Sequence, residues 1–311
     1  MTALRTDLVT AGCARALTAA GVPHLLLKGP TTARWLYRDG APRRYADTDL
    51  LVPVEQWYSA ADVLAKLGFV DVRAGRRESE RGHATNLYRR SPAGLDVVDL
   101  HHRLRMTRDS AVTWDVLSRD AEETIVGGAR VRMPGAAARC VVLALHAAQN
   151  GQWGEQSLAD LRRALDQVEP QVWLDAWELA GELDARPAFR LGCLLARRPA
   201  TPGAGEATGG GYEAGVWRDT PLHLRLCAIG VASSAHELAG ILAHRGAADR
   251  LRFILGRLFP SRQVLADVYG ARTPASLPLG YARRYARIAA NLPAALRDVR
   301  AANRATVDRL G

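Results

Sequence analysis

The sequence predicts a protein of the α/β (α+β) class, with a mixed β-sheet in its first part and an all-helical second part. Short apolar runs with strand periodicity alternate with helical patterns up to Pro134. Every periodic segment after Pro134 has helical spacing instead. The length of 311 residues is long for a single core and suits two units. We therefore predict one domain over residues 1–134 and a helical domain over residues 135–311.

The first elements predict a helix, a strand, a turn and a second helix. Thr6 or Asp7 is expected to cap the first helix, which ends before Gly21. Residues 24–29, HLLLKG, predict a short apolar strand that leads into a turn. Pro30 suits the first turn of a helix, which then continues to residue 40.

The rest of the first part predicts one helix among several strands. Residues 46–53, ADTDLLVP, predict a strand, and a helix follows over about residues 55–67. Three short strands come next, at residues 68–73, 84–90 and 94–103. A turn at residues 91–94 joins the last two strands, which predicts a hairpin. Residues 129–135 predict one more edge strand.

The second part is predicted to be helical apart from one loop. Residues 140–150, 157–168 and 171–183 repeat apolar side chains at the helical period. Residues 198–218 are rich in glycine, proline and alanine and predict a flexible loop. The segment from Tyr281 predicts a basic helix, for which a solvated face is favoured over a membrane or nucleic-acid surface.

Composition restricts the class of protein. A hydrophobic content of 48% and a charged content of 24% are typical of a soluble globular protein. The net charge is +10, but all except two of the 42 basic residues are arginines spread along the chain, so nucleic-acid binding is not predicted. Four scattered cysteines argue against a zinc site and a disulfide framework, which favours a cytoplasmic location. The sequence has no run of 18 apolar residues, so no membrane span is predicted.

Two aspartates on one predicted strand carry the main chemical signal. Strand residues alternate between two faces, so Asp47 and Asp49 point the same way while Thr48 points away. Neighbouring carboxylates repel each other, and a divalent cation removes that cost. Oxygen ligands of this kind suit Mg²⁺ or Mn²⁺, with phosphate oxygens and water completing the coordination. We therefore predict a metal site at Asp47 and Asp49.

A third carboxylate is expected from a neighbouring strand. Strands of one sheet lie about 5 Å apart, so Asp99 in VVDLHH can complete a cluster of three carboxylates. Such a cluster can hold two metal ions roughly 3.5–4 Å apart, which suits in-line attack on phosphorus. Asp96 is the alternative, because residues three apart face opposite sides and only one of the two can join. Of His101 and His102, at most one can face the site.

Small and basic residues near the aspartates suit a phosphate group. Lys28 ends an apolar run and precedes Gly29, which lets the backbone approach a ligand at the start of a helix. Arg43 and Arg44 come just before the acidic pair. They could clamp phosphates or form salt bridges with the carboxylates.

The order of these motifs resembles that of the nucleotidyltransferases of the DNA polymerase β superfamily. HLLLKG, RRYADTDLLV and LDVVDLH are similar to the lysine-glycine turn, the D-x-D-L-L-V strand and the V-D-L-H strand of a largely uncharacterised bacterial branch. The later segment with His146, Trp153 and Asp160 also resembles that branch, and the resemblance covers roughly residues 5–170.

The resemblance implies a fold and roles for individual residues. It implies a mixed-sheet nucleotidyltransferase core in which Asp47 and Asp49 bind both metal ions. Asp99 would join the ion that activates the acceptor hydroxyl, and Gly29 would line the triphosphate.

One residue departs from the superfamily pattern. Pro30 stands where the glycine turn usually has glycine or serine, and proline has no N–H to offer a phosphate. The hydroxyls of Thr31 and Thr32, or the ammonium of Lys28, would have to compensate.

The predicted function is that of a metal-dependent nucleotidyltransferase. It would move a nucleoside monophosphate from an NTP such as ATP to a hydroxyl of a small molecule, peptide or protein, and release pyrophosphate. Mg²⁺ or Mn²⁺ is the expected cofactor. One alternative is a non-catalytic, nucleotide-binding regulatory module. Another is a tailoring transferase that uses a nucleotide-activated donor such as a nucleotide sugar.

Overall fold

The computed structural model describes residues 3–71, 83–92, 94–197, 210–230, 241, 246–260, 262–271 and 273–304. Within these residues a five-stranded mixed sheet precedes a helical C-terminal region. The fold class predicted from the sequence is therefore confirmed.

The main sheet has both parallel and antiparallel neighbours. Its strands are β1 (Leu25–Leu26), β2 (Asp47–Leu51), β3 (Val70–Asp71), β4 (Ala84–Ser91) and β5 (Gly94–His101). Their order across the sheet is β1-β2-β5-β4-β3. Strands β2 and β5 are parallel, whereas the other neighbouring pairs are antiparallel. Strands β4 and β5 form the predicted hairpin.

The two faces of the sheet pack against different helices. The helices of the first part are α1 (Ala3–Ala19), α2 (Pro30–Leu36), α3 (Trp57–Lys66) and α4 (Ser110–Ser118). Leu50 of β2 packs in a cluster with side chains of α1 and α3. Leu51 points to the other face and packs with the helix that begins at Ala136. Because residues two apart share a face, Asp49 lies on the side that the helical region covers.

Helix α1 starts earlier than the capping pattern predicts. It begins at Ala3, so Thr6 and Asp7 lie within it, and the prediction of a cap at these residues was wrong. The Asp7 carboxylate accepts hydrogen bonds from Tyr45 and Arg34 at 2.9 and 2.7 Å. The Asp7 side chain therefore binds residues outside α1 instead of capping the helix.

A separate hairpin follows α4. Strands β6 (Glu122–Val126) and β7 (Ala129–Met133) form a two-stranded antiparallel sheet of their own. Residues 129–133 are a strand as predicted, but they do not form an edge of the main sheet. The sequence contains a turn with Gly127 and Gly128, both at positive φ, which favours this local pairing.

The described part of the chain after Pro134 consists of helices. Their bounds are α5 (Ala136–Asn150), α6 (Glu155–Gln167), α7 (Pro170–Glu182), α8 (Arg186–Arg197), α9 (Gly210–Asp219), α10 (Leu222–Ile229), α11 (Ala247–Leu258), α12 (Arg262–Tyr269) and α13 (Leu277–Arg304). Small side chains let α5 and α8 approach closely, since a Cβ added at Gly192 would lie 2.0 Å from the Ala144 carbonyl oxygen. Within the described residues, no helix combines the length and apolar composition that a bilayer crossing needs.

The prediction of a flexible loop near residues 198–218 is partly wrong. Residues 198–209 lie outside the described residues, and Gly210–Asp219 forms helix α9. Val216 and Trp217 are buried, and Trp217 joins the main apolar cluster. Burial of these side chains outweighs the low helix propensity of the glycines before them. The domain boundary at residues 134 and 135 stays a prediction.

Candidate active site

Strand β2 presents alternating polar side chains to its two faces. Thr48 is fully buried and its hydroxyl lies 2.8 Å from that of Thr10 on α1. Asp47 and Asp49 point to the opposite face, where their side chains are 38% and 1% exposed. The period-two spacing therefore brings the two carboxylates together beside the helical region.

Asp99 joins this face from the neighbouring strand. It stands opposite Asp49 in the parallel register of β2 and β5, and its carboxylate accepts a hydrogen bond from Asn86. One ligand atom from each of Asp49, Asp99 and His101 lies within 4.8 Å of the others. These three residues form an acidic cluster with one imidazole.

Asp96, the alternative third carboxylate, belongs to another network. It is buried and accepts hydrogen bonds from Arg5 at 2.6 and 2.9 Å. Arg89 donates to its other oxygen at 3.0 and 3.1 Å. Because Asp96 is already paired with two guanidinium groups, Asp99 is the better candidate for a metal ligand.

Mutual repulsion and burial perturb the three carboxylates. Burial, together with the charge of Asp49, raises the pKa of Asp99 to about 6. The charge of Asp49, followed by burial, also raises the pKa of Asp47. Burial alone would raise the pKa of Asp49, but the Lys28 ammonium and the His101 side chain outweigh it and lower that pKa. The face therefore has an excess of negative charge, which a cation would stabilise.

Lys28 lies against the acidic pair rather than against solvent. Its Nζ is 2.7 Å from Asp49 Oδ2 and 3.8 Å from Asp47 Oδ2. Burial alone would lower the pKa of Lys28, but the charges of Asp49 and Asp47 raise it above its ordinary value. The structure thus brings Lys28 into the predicted site as a charged ammonium.

The glycine turn is built around a conformation that only glycine adopts easily. Gly29 has φ 75° and ψ −109°, and a Cβ there would meet the backbone oxygen of Asp47 at 3.6 Å. Helix α2 begins directly after it at Pro30, which contributes no N–H. Thr31 is buried, and its hydroxyl has no hydrogen-bond partner within the described residues. That hydroxyl is therefore a buried hydrogen-bonding group without a partner at the start of α2.

Arg43 binds the helical region instead of the acidic pair. Its guanidinium donates to Asp160 of α6 at 2.9 and 2.6 Å. The two side chains are buried, with 5% and 1% of their surface exposed. A third N–H donates to the Gly29 carbonyl at 3.0 Å. Arg43 therefore connects α6 to the glycine turn, whereas Arg44 is exposed. The roles of Arg43 and Arg44 as phosphate ligands stay predictions.

Some residues of the site were not assigned from the sequence. His101 Nε2 lies 3.3 Å from Asp49 Oδ1, and its position two residues after Asp99 could have placed it on that face. Burial, together with the nearby positive charge of Lys28, lowers the pKa of His146 on α5 to about 4. Trp153, which the resemblance also names, is exposed and donates to the Ile229 carbonyl at 3.4 Å, a contact within the helical region rather than with the acidic cluster.

The donor set fits a hard divalent cation. Three carboxylates converge with one ammonium, so the cluster keeps a negative charge, and Asp99 and Asp47 are both destabilised in the ionised form. Carboxylate oxygens suit Mg²⁺ and Mn²⁺. The unpartnered Thr31 hydroxyl adds a donor for an oxyanion.

Known proteins provide an independent comparison. No curated protein is significantly similar to the chain. Among solved structures, it is similar to an antigenic nucleotidyltransferase-like protein from Paracoccidioides brasiliensis, with 13% sequence identity, a TM-score of 0.36, and coverage of 60% of this chain and 92% of that one. A family model described as uncharacterised nucleotidyltransferase matches residues 5–200, which is more than half of the chain. The chain therefore belongs to this family of uncharacterised nucleotidyltransferases.

Proposed function

We propose that the protein is a metal-dependent nucleotidyltransferase of the DNA polymerase β superfamily. It moves a nucleoside monophosphate from an NTP to an acceptor hydroxyl and releases pyrophosphate. The observation that carries this proposal is the parallel register that sets Asp99 opposite Asp49, beside Asp47 and the Gly29 turn. Membership of the nucleotidyltransferase family supports it.

The acidic face supplies the residues that would hold the cofactor. Asp47, Asp49 and Asp99 would bind Mg²⁺ or Mn²⁺, which when bound neutralises phosphate charge and makes an acceptor hydroxyl more acidic. These carboxylates need no large rearrangement, because the sheet already holds Asp49 and Asp99 side by side.

The chain's own donors would hold the triphosphate. The Thr31 hydroxyl can donate to a phosphate oxygen, and the absence of a side chain at Gly29 lets the backbone approach it. Lys28 adds positive charge next to the same turn. In the reaction, the acceptor oxygen forms a bond to the α-phosphorus, and the bond from that phosphorus to the oxygen that bridges to the β-phosphorus breaks. Pyrophosphate leaves with that oxygen, and the hydroxyl proton passes to solvent water.

The helical region would shape the acceptor site. His146 on α5 and Asp160 on α6 both lie beside the residues of the acidic face and its glycine turn. An acceptor that reaches the α-phosphorus would therefore contact this region. Its chemical class, a small molecule, a peptide or a protein side chain, is set by surfaces outside the acidic cluster.

A second candidate function is a nucleotide-binding module without turnover. Pro30 favours it, because the first residue of α2 offers no N–H to a phosphate. Such a module would bind an NTP at the same face but would not cleave it.

One experiment separates the two functions. The protein is incubated with each NTP, Mg²⁺ or Mn²⁺, and a panel of hydroxyl acceptors, while pyrophosphate and acceptor mass are followed. The transferase releases pyrophosphate and adds the mass of a nucleoside monophosphate, and Asp49→Asn abolishes both. The exposed Asp62→Asn is the matched control and keeps full activity. Saturable NTP binding without pyrophosphate would instead identify the binding module.

A further inference from the structure

The Lys28 ammonium fills one place that a cation could take. Its Nζ lies 2.7 Å from Asp49 Oδ2 and 3.8 Å from Asp47 Oδ2, and its side chain is mostly buried. A Mg²⁺ ion on that Asp49 oxygen would lie about 2.0–2.1 Å from it. An ion between the two carboxylates would therefore have to displace the ammonium.

The other oxygen of Asp49 faces a different set of ligands. Asp49 Oδ1 lies 3.3 Å from His101 Nε2, and Asp99 completes a group whose ligand atoms are all within 4.8 Å of one another. The His101 ring is buried, and its Nδ1 has no hydrogen-bond partner within the described part of the chain. These three residues define a second cation position, at the Asp49 oxygen that does not accept from Lys28.

The use of lysine at this position is unusual for the chain. All except two of its 42 basic residues are arginines, and the other lysine, Lys66, is exposed at the end of α3. An ammonium is a compact point charge, whereas a guanidinium is a planar fork that prefers to bind one carboxylate through two N–H groups. Lysine therefore suits a place between two carboxylates, where a spherical ion would otherwise lie.

We propose that Lys28 serves as a built-in cation at one of the two cation positions, so that the site binds a single divalent ion at Asp49, Asp99 and His101. This inference rests on the proposed metal-dependent function. The charges of three carboxylates, one ammonium and one divalent ion balance. In this arrangement Asp47 pairs with Lys28 at 3.8 Å, so the metal-binding carboxylates of the proposed function narrow from three to Asp49 and Asp99.

Counting bound Mn²⁺ by electron paramagnetic resonance tests this proposal on the full-length protein. Wild type binds one Mn²⁺ per chain, both alone and with a non-hydrolysable NTP analogue. The bound ion shows nitrogen hyperfine coupling, which His101→Gln removes. Lys28→Met keeps the apolar stem but lacks the charge, so it binds a second Mn²⁺. Lys66→Met, the matched control, stays at one.

The alternatives give different counts. Two Mn²⁺ per wild-type chain overturn the inference and leave the proposed function standing. No bound Mn²⁺ overturns the inference together with the metal dependence on which it rests. A Lys28→Met count that stays at one also overturns it. Circular dichroism checks that each variant is folded, and Lys28→Ala replaces Lys28→Met if the latter is unfolded. The wild-type Mn²⁺ count and the nitrogen coupling test the single-ion site without either Lys28 variant.

Discussion

The buried ion pair between Arg43 and Asp160 is expected to be a major support of the site. The Asp160 carboxylate accepts two hydrogen bonds from Arg43, one from Tyr37 at 2.7 Å and one from Gln156 at 3.0 Å. Asp160→Ala removes all four at once and leaves the Arg43 guanidinium in a buried place without its partner. The same guanidinium holds the Gly29 carbonyl, so the perturbation reaches the glycine turn.

The magnitude follows from burial. Breaking a buried ion pair by removing one partner typically costs about 3–5 kcal/mol, because the remaining charge is left uncompensated. At ~2–4 °C per kcal/mol, the thermal midpoint should fall by at least about 6 °C. Arg43→Ala should lose a similar amount, and the double variant should lose much less than the sum. The Asp160→Ala protein should also bind NTP more weakly, since Gly29 loses a positioned donor.

Urea unfolding of wild type, both single variants and the double variant measures the coupling. Glu123→Ala serves as a control, because its ion pair with Arg130 is exposed and long at 3.6 Å, and it should leave the midpoint almost unchanged. A loss below about 1 kcal/mol for Asp160→Ala, or additive losses in the double variant, would show that this pair does not hold α6 against the glycine turn.

Three further outcomes are expected. Asp99→Asn should weaken Mn²⁺ binding in calorimetry without lowering the free energy of unfolding, because it relieves the repulsion between Asp99 and Asp49. Asp96→Asn should lower the free energy of unfolding and leave Mn²⁺ affinity unchanged, because Asp96 pairs with Arg5. The reverse pattern would exchange the roles of the two aspartates. Thr31→Val should keep the thermal midpoint but reduce NTP affinity by about fivefold, or ~1 kcal/mol, and unchanged affinity would remove Thr31 from the phosphate site. Gly29→Ala should cost about 1–3 kcal/mol in urea unfolding because of its positive φ, and an unaltered midpoint would contradict that strain.

Local backbone geometry made part of the site predictable. Side chains two apart on a strand share a face whatever the rest of the fold does, so Asp47 and Asp49 could be paired from the sequence. The same rule separates Asp96 from Asp99, and it would have placed His101 beside Asp99. The mixed sheet and the later helices followed from periodicity in the same way.

Long-range contacts were not predictable. Nothing near Arg43 indicates that its partner lies 117 residues away on α6, because that pairing depends on how the helical region packs against the sheet. Helix α9 is a similar case, since its glycines favour a loop locally and only the burial of Val216 and Trp217 favours a helix. Register also decides which edge a strand joins, so residues 129–133 could be predicted as a strand but not as part of a separate hairpin.

The most direct test of nucleotidyl transfer follows the fate of the two ends of the triphosphate. The protein is given NTP labelled either on the α- or on the γ-phosphate, with Mn²⁺ and an acceptor mixture, and Asp49→Asn is run beside it. A nucleotidyltransferase releases the γ-label as pyrophosphate and places the α-label on an acceptor, and the Asp49→Asn variant does neither. Release of γ-label as orthophosphate, or bound NTP that stays intact with every acceptor, would contradict it.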